Sequence, residues 1–176
     1  MTCAIVNDAS CLIDLRKGSL LGVVCDLPYR LVIPLPVRAS EVLDLSEAEW
    51  QALDEAGMIT HDLTPEEVGQ ALAVKERHAG LSANDCFCLV TARTYPGVLL
   101  TGDALMRRVA AANGLRVHGV LKVVDELEAA EVCSRSHLIR ALKAWQSDDT
   151  VFLPQHEIST RLEYLTEARP RRGRRQ

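Results

Sequence analysis

Five short apolar segments punctuate the chain, and stretches with helical signatures lie between them. The segments are residues 3–7 (CAIVN), 29–33 (YRLVI), 58–63 (MITHDL), 98–101 (VLLT) and 115–118 (LRVH). Strands that alternate with helices predict an α/β domain with a mostly parallel sheet. Crevices in such a sheet open beyond the carboxyl ends of its strands. Asp8 and Asp103 follow immediately on two of these segments, which makes them the first residues to ask about.

The helical stretches carry their own punctuation. Thr64-Pro65-Glu66-Glu67 supplies an N-cap, a proline at the first position and acids in the first turn, so a helix is expected from there to His78. Ser82 opens another, through Ala92 or Tyr95, before a Pro96-Gly97 turn. Further helices are expected over 10–16, 19–27, 47–55, 104–112, 120–132, 135–146 and 155–165. Val37, Glu41 and Leu45, four residues apart, predict a helical run with one apolar stripe.

Composition narrows the function classes. The chain has 176 residues, 48% of them hydrophobic and only 4% aromatic, so Leu, Val and Ala must build the core. No apolar run reaches the roughly 18 residues of a membrane span. The start, MTCAIVNDAS, lacks the basic region of a secretory signal. Six cysteines without a CxxC pair or zinc-finger spacing read as reduced thiols in a cytoplasmic protein. The net charge is −4, but five arginines crowd into RPRRGRRQ at the end. Without them, residues 1–168 hold 15 basic and 24 acidic residues, a net of −9. An acidic body excludes broad electrostatic binding of nucleic acid. An RNA site would have to be local, with bound cations reversing its charge.

Four acids carry the chemistry. Asp8 and Asp103 sit at strand ends, and each also faces a helix start, where an acid is welcome as a cap. Asp85 lies three residues after Ser82, in a pattern close to a capping box. Glu41 falls on the Val37–Leu45 stripe, where a carboxylate beside core residues is costly unless something satisfies it; at the edge of the stripe it would sit in water. Together the four suggest a shared counter-charge, because like charges at close range cannot all stay ionised. Hard oxygen ligands favour Mg2+ or Mn2+, and such ions activate water and clamp a phosphoryl group during in-line displacement. Asp14 and Asp44 read as outer acids. Arg107 shares a face with Asp103 and is suited to phosphate contact.

VNDASCLIDL (6–15), IPLPVRASEV (33–42), LSANDCFCLVTAR (81–93) and LLTGDALMRRVAAANGLRVHGVLKVVDEL (99–127) resemble, in order and spacing, the successive blocks of PIN domains. The resemblance covers about residues 3–130. FLPQHEISTRL (152–162) is similar to the helical C-terminal extension of one bacterial and archaeal PIN subgroup, and many relatives are VapC-like toxins of toxin–antitoxin pairs. The resemblance implies a PIN-like three-layer α/β/α fold with extra C-terminal helices: a nuclease domain over 1–130, a helical extension packed on it over 131–166, and a basic tail over 167–176. It implies a Mg2+-dependent endoribonuclease, with Mn2+ as an alternative ion, and Asp8, Glu41, Asp85 and Asp103 as catalytic and metal-holding residues. Ser10 and Thr101 match hydroxyl residues that support the acids. Many relatives carry a further acid just after the T-x-D, where this chain has Ala104, Leu105 and Met106, which puts a second metal in question. The expected partners are an RNA substrate, a small antitoxin protein and a second copy of the chain, with no membrane.

Two other classes compete. A catalytically silent PIN-fold binding module would keep the fold without cleavage. A phosphatase-like enzyme would use Asp8 as nucleophile, but that class shows an acid two residues on, where Ser10 stands. The five histidines show no paired-ligand spacing, and neither a P-loop nor a G-x-S-x-G motif occurs.

Overall fold

A strand such as Ala4-Ile5-Val6 has no polar side chain to offer water on either face, so both faces must be covered. The computed structural model, which describes residues 3–42 and 44–167, shows how. Five strands, β1 (Cys3–Asn7), β2 (Tyr29–Pro34), β3 (Ile59–His61), β4 (Gly97–Leu100) and β5 (Arg116–His118), form one sheet in the order β3-β2-β1-β4-β5. Every pairing is parallel. Consecutive residues of β1, β2 and β4 are buried, including Ala4, Ile5, Val6, Leu31, Val32, Ile33, Leu99 and Leu100. Because neighbours along a strand face opposite ways, helices lie on both sides.

The first three strands run outward from β1 in one direction and the last two in the other. The switch point therefore lies between β1 and β4, where ligands of doubly wound sheets bind. Their register, Asn7 beside Leu100, brings the residues that follow into proximity. Gly97 makes that pairing feasible: a Cβ there would lie 1.8 Å from the Ala4 carbonyl oxygen. Of the Pro96-Gly97 pair expected as a turn, Pro96 lies in a bend and Gly97 already starts β4, and the Pro96 carbonyl accepts from the Ala4 N–H.

Nine helices are found among the described residues: α1 (Ala9–Lys17), α2 (Leu35–Ser40), α3 (Glu47–Glu55), α4 (Pro65–Arg77), α5 (Ala83–Thr94), α6 (Ala104–Ala112), α7 (Val120–Ala130), α8 (Arg135–Ser147) and α9 (Gln155–Glu167). α5 packs on β1, β2 and β4, flanked by α4 and α6, while α1, α7 and α8 pack on one another. Capping boxes open α3, α4 and α5 at Ser46, Thr64 and Ser82. Residues 19–27, expected as a helix, form only a 3-10 turn over Val23–Asp26. Leu20, Val24 and Leu27 are buried there, so tertiary contacts hold the segment where local propensity does not.

The last helices are tied to the sheet domain. Trp145 of α8 is fully buried, and its indole N–H donates to the Asp14 carbonyl (2.7 Å). Arg161 of α9 makes a two-pronged contact with Asp125 of α7 (2.8 and 2.9 Å). Glu167, assigned from sequence to the basic tail, belongs to α9, and the arginine-rich remainder lies outside the described residues.

Candidate functional site

The end of β1 is held rigidly. Asn7 is buried, and its amide donates to the carbonyls of Ile5 (3.0 Å) and Val32 (3.2 Å). Asp8 follows, its N–H donating to the Leu100 carbonyl across the switch point. It occupies the N-cap position of α1 yet makes no side-chain capping bond. Its Oδ2 instead accepts from the hydroxyls of Ser10 (2.9 Å) and Thr101 (2.9 Å). At 8% exposure, burial pushes its pKa above the ordinary carboxylate value, the two hydroxyls pull it down, and the Asp85 charge adds to the rise. The Ser10 backbone N–H lowers this pKa slightly as well, but no full side-chain cap bond forms, so capping alone does not explain Asp8.

Capping does account for the present orientation of two other acids. Asp103 caps α6, its Oδ1 accepting from the Met106 N–H (2.6 Å), while its own N–H donates to the Thr101 hydroxyl (3.1 Å). Thr101, fully buried, thus links Asp103 to Asp8. Asp85 completes the capping box of α5, its Oδ2 accepting from the Ser82 N–H (2.6 Å).

Glu41 departs from expectation. α2 stops at Ser40, so the run from Val37 to Leu45 is not helical and Glu41 is an exposed C-cap. The Val37 carbonyl accepts from the N–H groups of both Glu41 and Val42, and the Ser40 hydroxyl turns back to the Pro36 carbonyl (2.7 Å). Val42 is buried in the outgoing loop, and Glu41 is left in water.

The acids nevertheless gather at one end of the sheet. Asn84 donates to the Ser40 hydroxyl (3.0 Å), joining the end of α2 to the start of α5, so Glu41 and Asp85 stand on adjoined segments. Cys88, one turn along α5, reports the rest. Its buried thiol donates to the Asn7 carbonyl (3.7 Å) and is pushed well above its ordinary pKa, first by burial and then by the charges of Asp8, Asp85 and Glu41. Ser40 and Asn84 went unnoticed in the sequence reading; the only available signal is that each directly precedes a candidate acid.

The gathering is looser than a closed cage. Among the described residues, no three His, Cys, Asp or Glu side chains are close enough to hold a metal ion. The donor chemistry suits a hard cation, and Asp8 is the group such a charge would relieve most. The side-chain arrangement does not close around one: Asp85 and Asp103 would have to leave their caps, and Glu41 would have to turn in.

Arg107 lies one turn after Asp103 and donates to the Thr101 carbonyl (3.1 Å), which fixes its guanidinium next to the same residue that holds Asp8. Asp14 lies behind the site on α1. Burial raises its pKa to about 6, opposed by Lys17 and assisted by Asp148 and Asp8. Asp44 is exposed in the loop before α3.

A five-stranded parallel sheet with helices on both faces and Asp8 at its switch point defines an α/β domain. The chain belongs to the PIN-domain family: a family model described as DUF3368, PIN domain, matches residues 4–167. PIN domains are generally nucleases, hydrolases that act on nucleic acid, and they usually use divalent metals. No curated protein matches the chain. No described helix is long and apolar enough to cross a membrane.

Proposed function

We propose that the chain is a cytoplasmic endoribonuclease dependent on Mg2+, with Mn2+ able to replace it, and that it is the VapC-like toxin of a toxin–antitoxin pair. Residues 1–130 form its nuclease part and 131–166 a helical extension. The observation that carries this reading is Asp8: a buried carboxylate at the switch point that forgoes its cap and is held by Ser10 and Thr101. Burial without a cationic partner is expensive for a fold and useful for binding a cation.

Asp8, Glu41, Asp85 and Asp103 are the residues that would hold the ion. When bound, it would supply an activated water and offset the phosphate charge. The chain's own groups do the rest. Ser10 and Thr101 orient Asp8, Thr101 keeps Asp103 in step with it, and Arg107 offers N–H donors to a phosphate at the mouth of the site.

Restraint is assigned to a small antitoxin. Its apolar helix would seat in the cleft of about 470 Å3 lined by Leu21, Gly22, Cys25, Ala52, Leu53 and Ala56, between the 3-10 turn and α3. A cationic side chain from it would replace the metal's charge among the acids. A second copy of the chain is a further partner. The test is Mg2+- or Mn2+-dependent cleavage of RNA by the purified chain, abolished in Asp8→Asn. A wild type that leaves structured and single-stranded RNA intact with Mn2+ present overturns the reading. The occupied caps at Asp85 and Asp103 favour the second reading, a catalytically silent PIN-fold binding module, which that result would install.

A further inference from the structure

Beside the acidic crevice lies a cleft of about 390 Å3 whose charge is opposite to that of the chain as a whole. It begins at Gly102, next to Asp103, and runs between the ends of β4 and β5 and the loop joining α8 to α9. Three cations line it, Arg107, Lys122 and Arg161, against one acid, Glu157. Lys122 is paired with Glu126, and Arg161 with Asp125 and Glu157. Arg107 forms no ion pair among the described residues, and its one hydrogen bond, from Nη1 to the Thr101 carbonyl, leaves Nε and Nη2 without a hydrogen bond among those residues on a half-buried side chain that lines the cleft. His118, also in the lining, is held below its ordinary pKa by burial first and then by the charges of Lys122 and Arg107.

Phe152 stands on the wall of this cleft and is 92% exposed. The loop that carries this ring is anchored. Val151, beside it, is buried, and Lys17 of α1 grips Thr150 and Asp148. The ring is thus presented on a pinned loop, with an unpaired arginine across the cleft and the acids beyond it.

We propose that this cleft is a nucleotide subsite that takes one unpaired base of single-stranded RNA flanking the scissile bond, the base stacking on Phe152 and its phosphate meeting Arg107. The inference rests on the ribonuclease reading and adds a substrate requirement to it. A flat apolar ring beside a positive charge is how proteins hold unpaired nucleotides without reading their sequence. A base within a duplex cannot reach the ring, because it is already stacked on its neighbours.

The test separates binding from turnover. Fluorescence anisotropy with a short single-stranded RNA, in EDTA and low salt, measures affinity for the wild type, Phe152→Ala, Phe152→Trp and Arg107→Gln. Phe152→Ala should bind roughly tenfold more weakly, and Phe152→Trp should restore the loss. Arg107→Gln should reduce the slope of log affinity against log salt by about one. RNA carrying a photoreactive uridine should crosslink at Phe152, and a duplex of the same sequence should compete poorly. Phe152 is solvent-exposed, so its variants should melt with the wild type. A Phe152→Ala protein that binds single strands as tightly as the wild type, equal binding of duplex, or crosslinks confined to other surfaces overturns the subsite. The first of these results assigns the ring to a protein partner. If the wild type still cleaves RNA in any of these cases, the nuclease reading survives alone. Phe152-dependent binding without metal-dependent cleavage leaves the subsite standing and removes the nuclease. A wild type that neither binds nor cleaves RNA removes both.

Discussion

Two of the carboxylates that accept hydroxyl hydrogen bonds, Glu67 and Asp8, come to opposite ends. Glu67, at the start of α4, accepts from the Thr94 hydroxyl (2.7 Å) and the Thr64 N–H (2.8 Å), and lies 3.1 Å from His61 Nε2. His61 Nδ1 in turn meets the Tyr95 hydroxyl (3.2 Å). Those bonds, Thr94 first, hold Glu67 down to a pKa of about 2. Asp8 has its own two hydroxyls, yet burial outweighs them and its pKa rises. The difference lies in what else is present. Glu67 adds an imidazole and partial access to water. Asp8 is deeper, with Asp85 as its neighbouring charge. The first arrangement ties the sheet edge to two helices; the second leaves a need that a cation can meet.

The largest effect should come from breaking the second arrangement. Asp8→Asn is expected to cut RNA cleavage by roughly a thousandfold, a loss in the range of essential acid–base groups. In EDTA the same variant should melt higher than the wild type, because the amide carries no buried charge. Mg2+ should raise the melting temperature of the wild type by several degrees, through binding the native state only, and should leave Asp8→Asn unmoved. Calorimetry that finds no ion response in the wild type would erase the contrast with Glu67.

Thr101→Val comes next. It removes the donor to Asp8 and the acceptor for the Asp103 N–H, so activity should fall roughly 10- to 100-fold, as for groups that orient metal ligands. Stability should drop by about 1–3 kcal/mol for the donor left unpaired. Steady-state cleavage rates with a urea melt measure both.

Glu67→Gln should leave cleavage unchanged and cost about 2 kcal/mol at neutral pH. Glu67's pKa is depressed in the fold, so its stabilising contribution is complete above its ordinary value of 4.5 and drains away as the pH falls toward 2. Urea midpoints taken across that window should show a weaker acid dependence in the variant.

Asp14→Asn should give the smallest change, with the opposite sign. Its pKa rises from 3.8 to about 6, so the folded state increasingly resists the charge as pH climbs through that interval. With the shift discounted for the water that reaches this half-buried carboxyl, the variant should be more stable than the wild type by about 1 kcal/mol at pH 8, and the difference should vanish below about pH 3. A constant difference at all pH values would reassign Asp14 to packing.

Local signals were legible in the sequence, and long-range ones were not. The helices expected after Thr64 and Ser82 are present as α4 and α5, because each cap announces its start within the same few residues. The strand segments were visible as apolar runs, but their order was not. β1 and β4 are neighbours because Gly97 admits the Ala4 carbonyl, a contact between residues far apart in the chain. The Val37–Leu45 stripe misled because periodicity cannot register a carbonyl that captures two N–H groups and ends the helix. Asp8, Ser10 and Thr101 could be named from the resemblance. That Thr101 would span 93 residues to reach Asp8, while Asp85 and Asp103 turned to their own helices, depends on side-chain geometry that only packing decides.

Trp145 has a use outside the chemistry. The chain contains two tryptophans: Trp50, partly buried beneath the Arg38 guanidinium (4.3 Å), and Trp145, sealed between α8 and α1 with Gly18 against its ring. In a Trp50→Phe background, Trp145 becomes a single intrinsic fluorophore at the seam between the sheet domain and the last helices. Separation of that seam would wet the indole, break its bond to the Asp14 carbonyl and shift its emission to the red. The protein therefore carries its own optical gauge of whether the C-terminal helices let go before the sheet does, readable in the same titration that measures global unfolding.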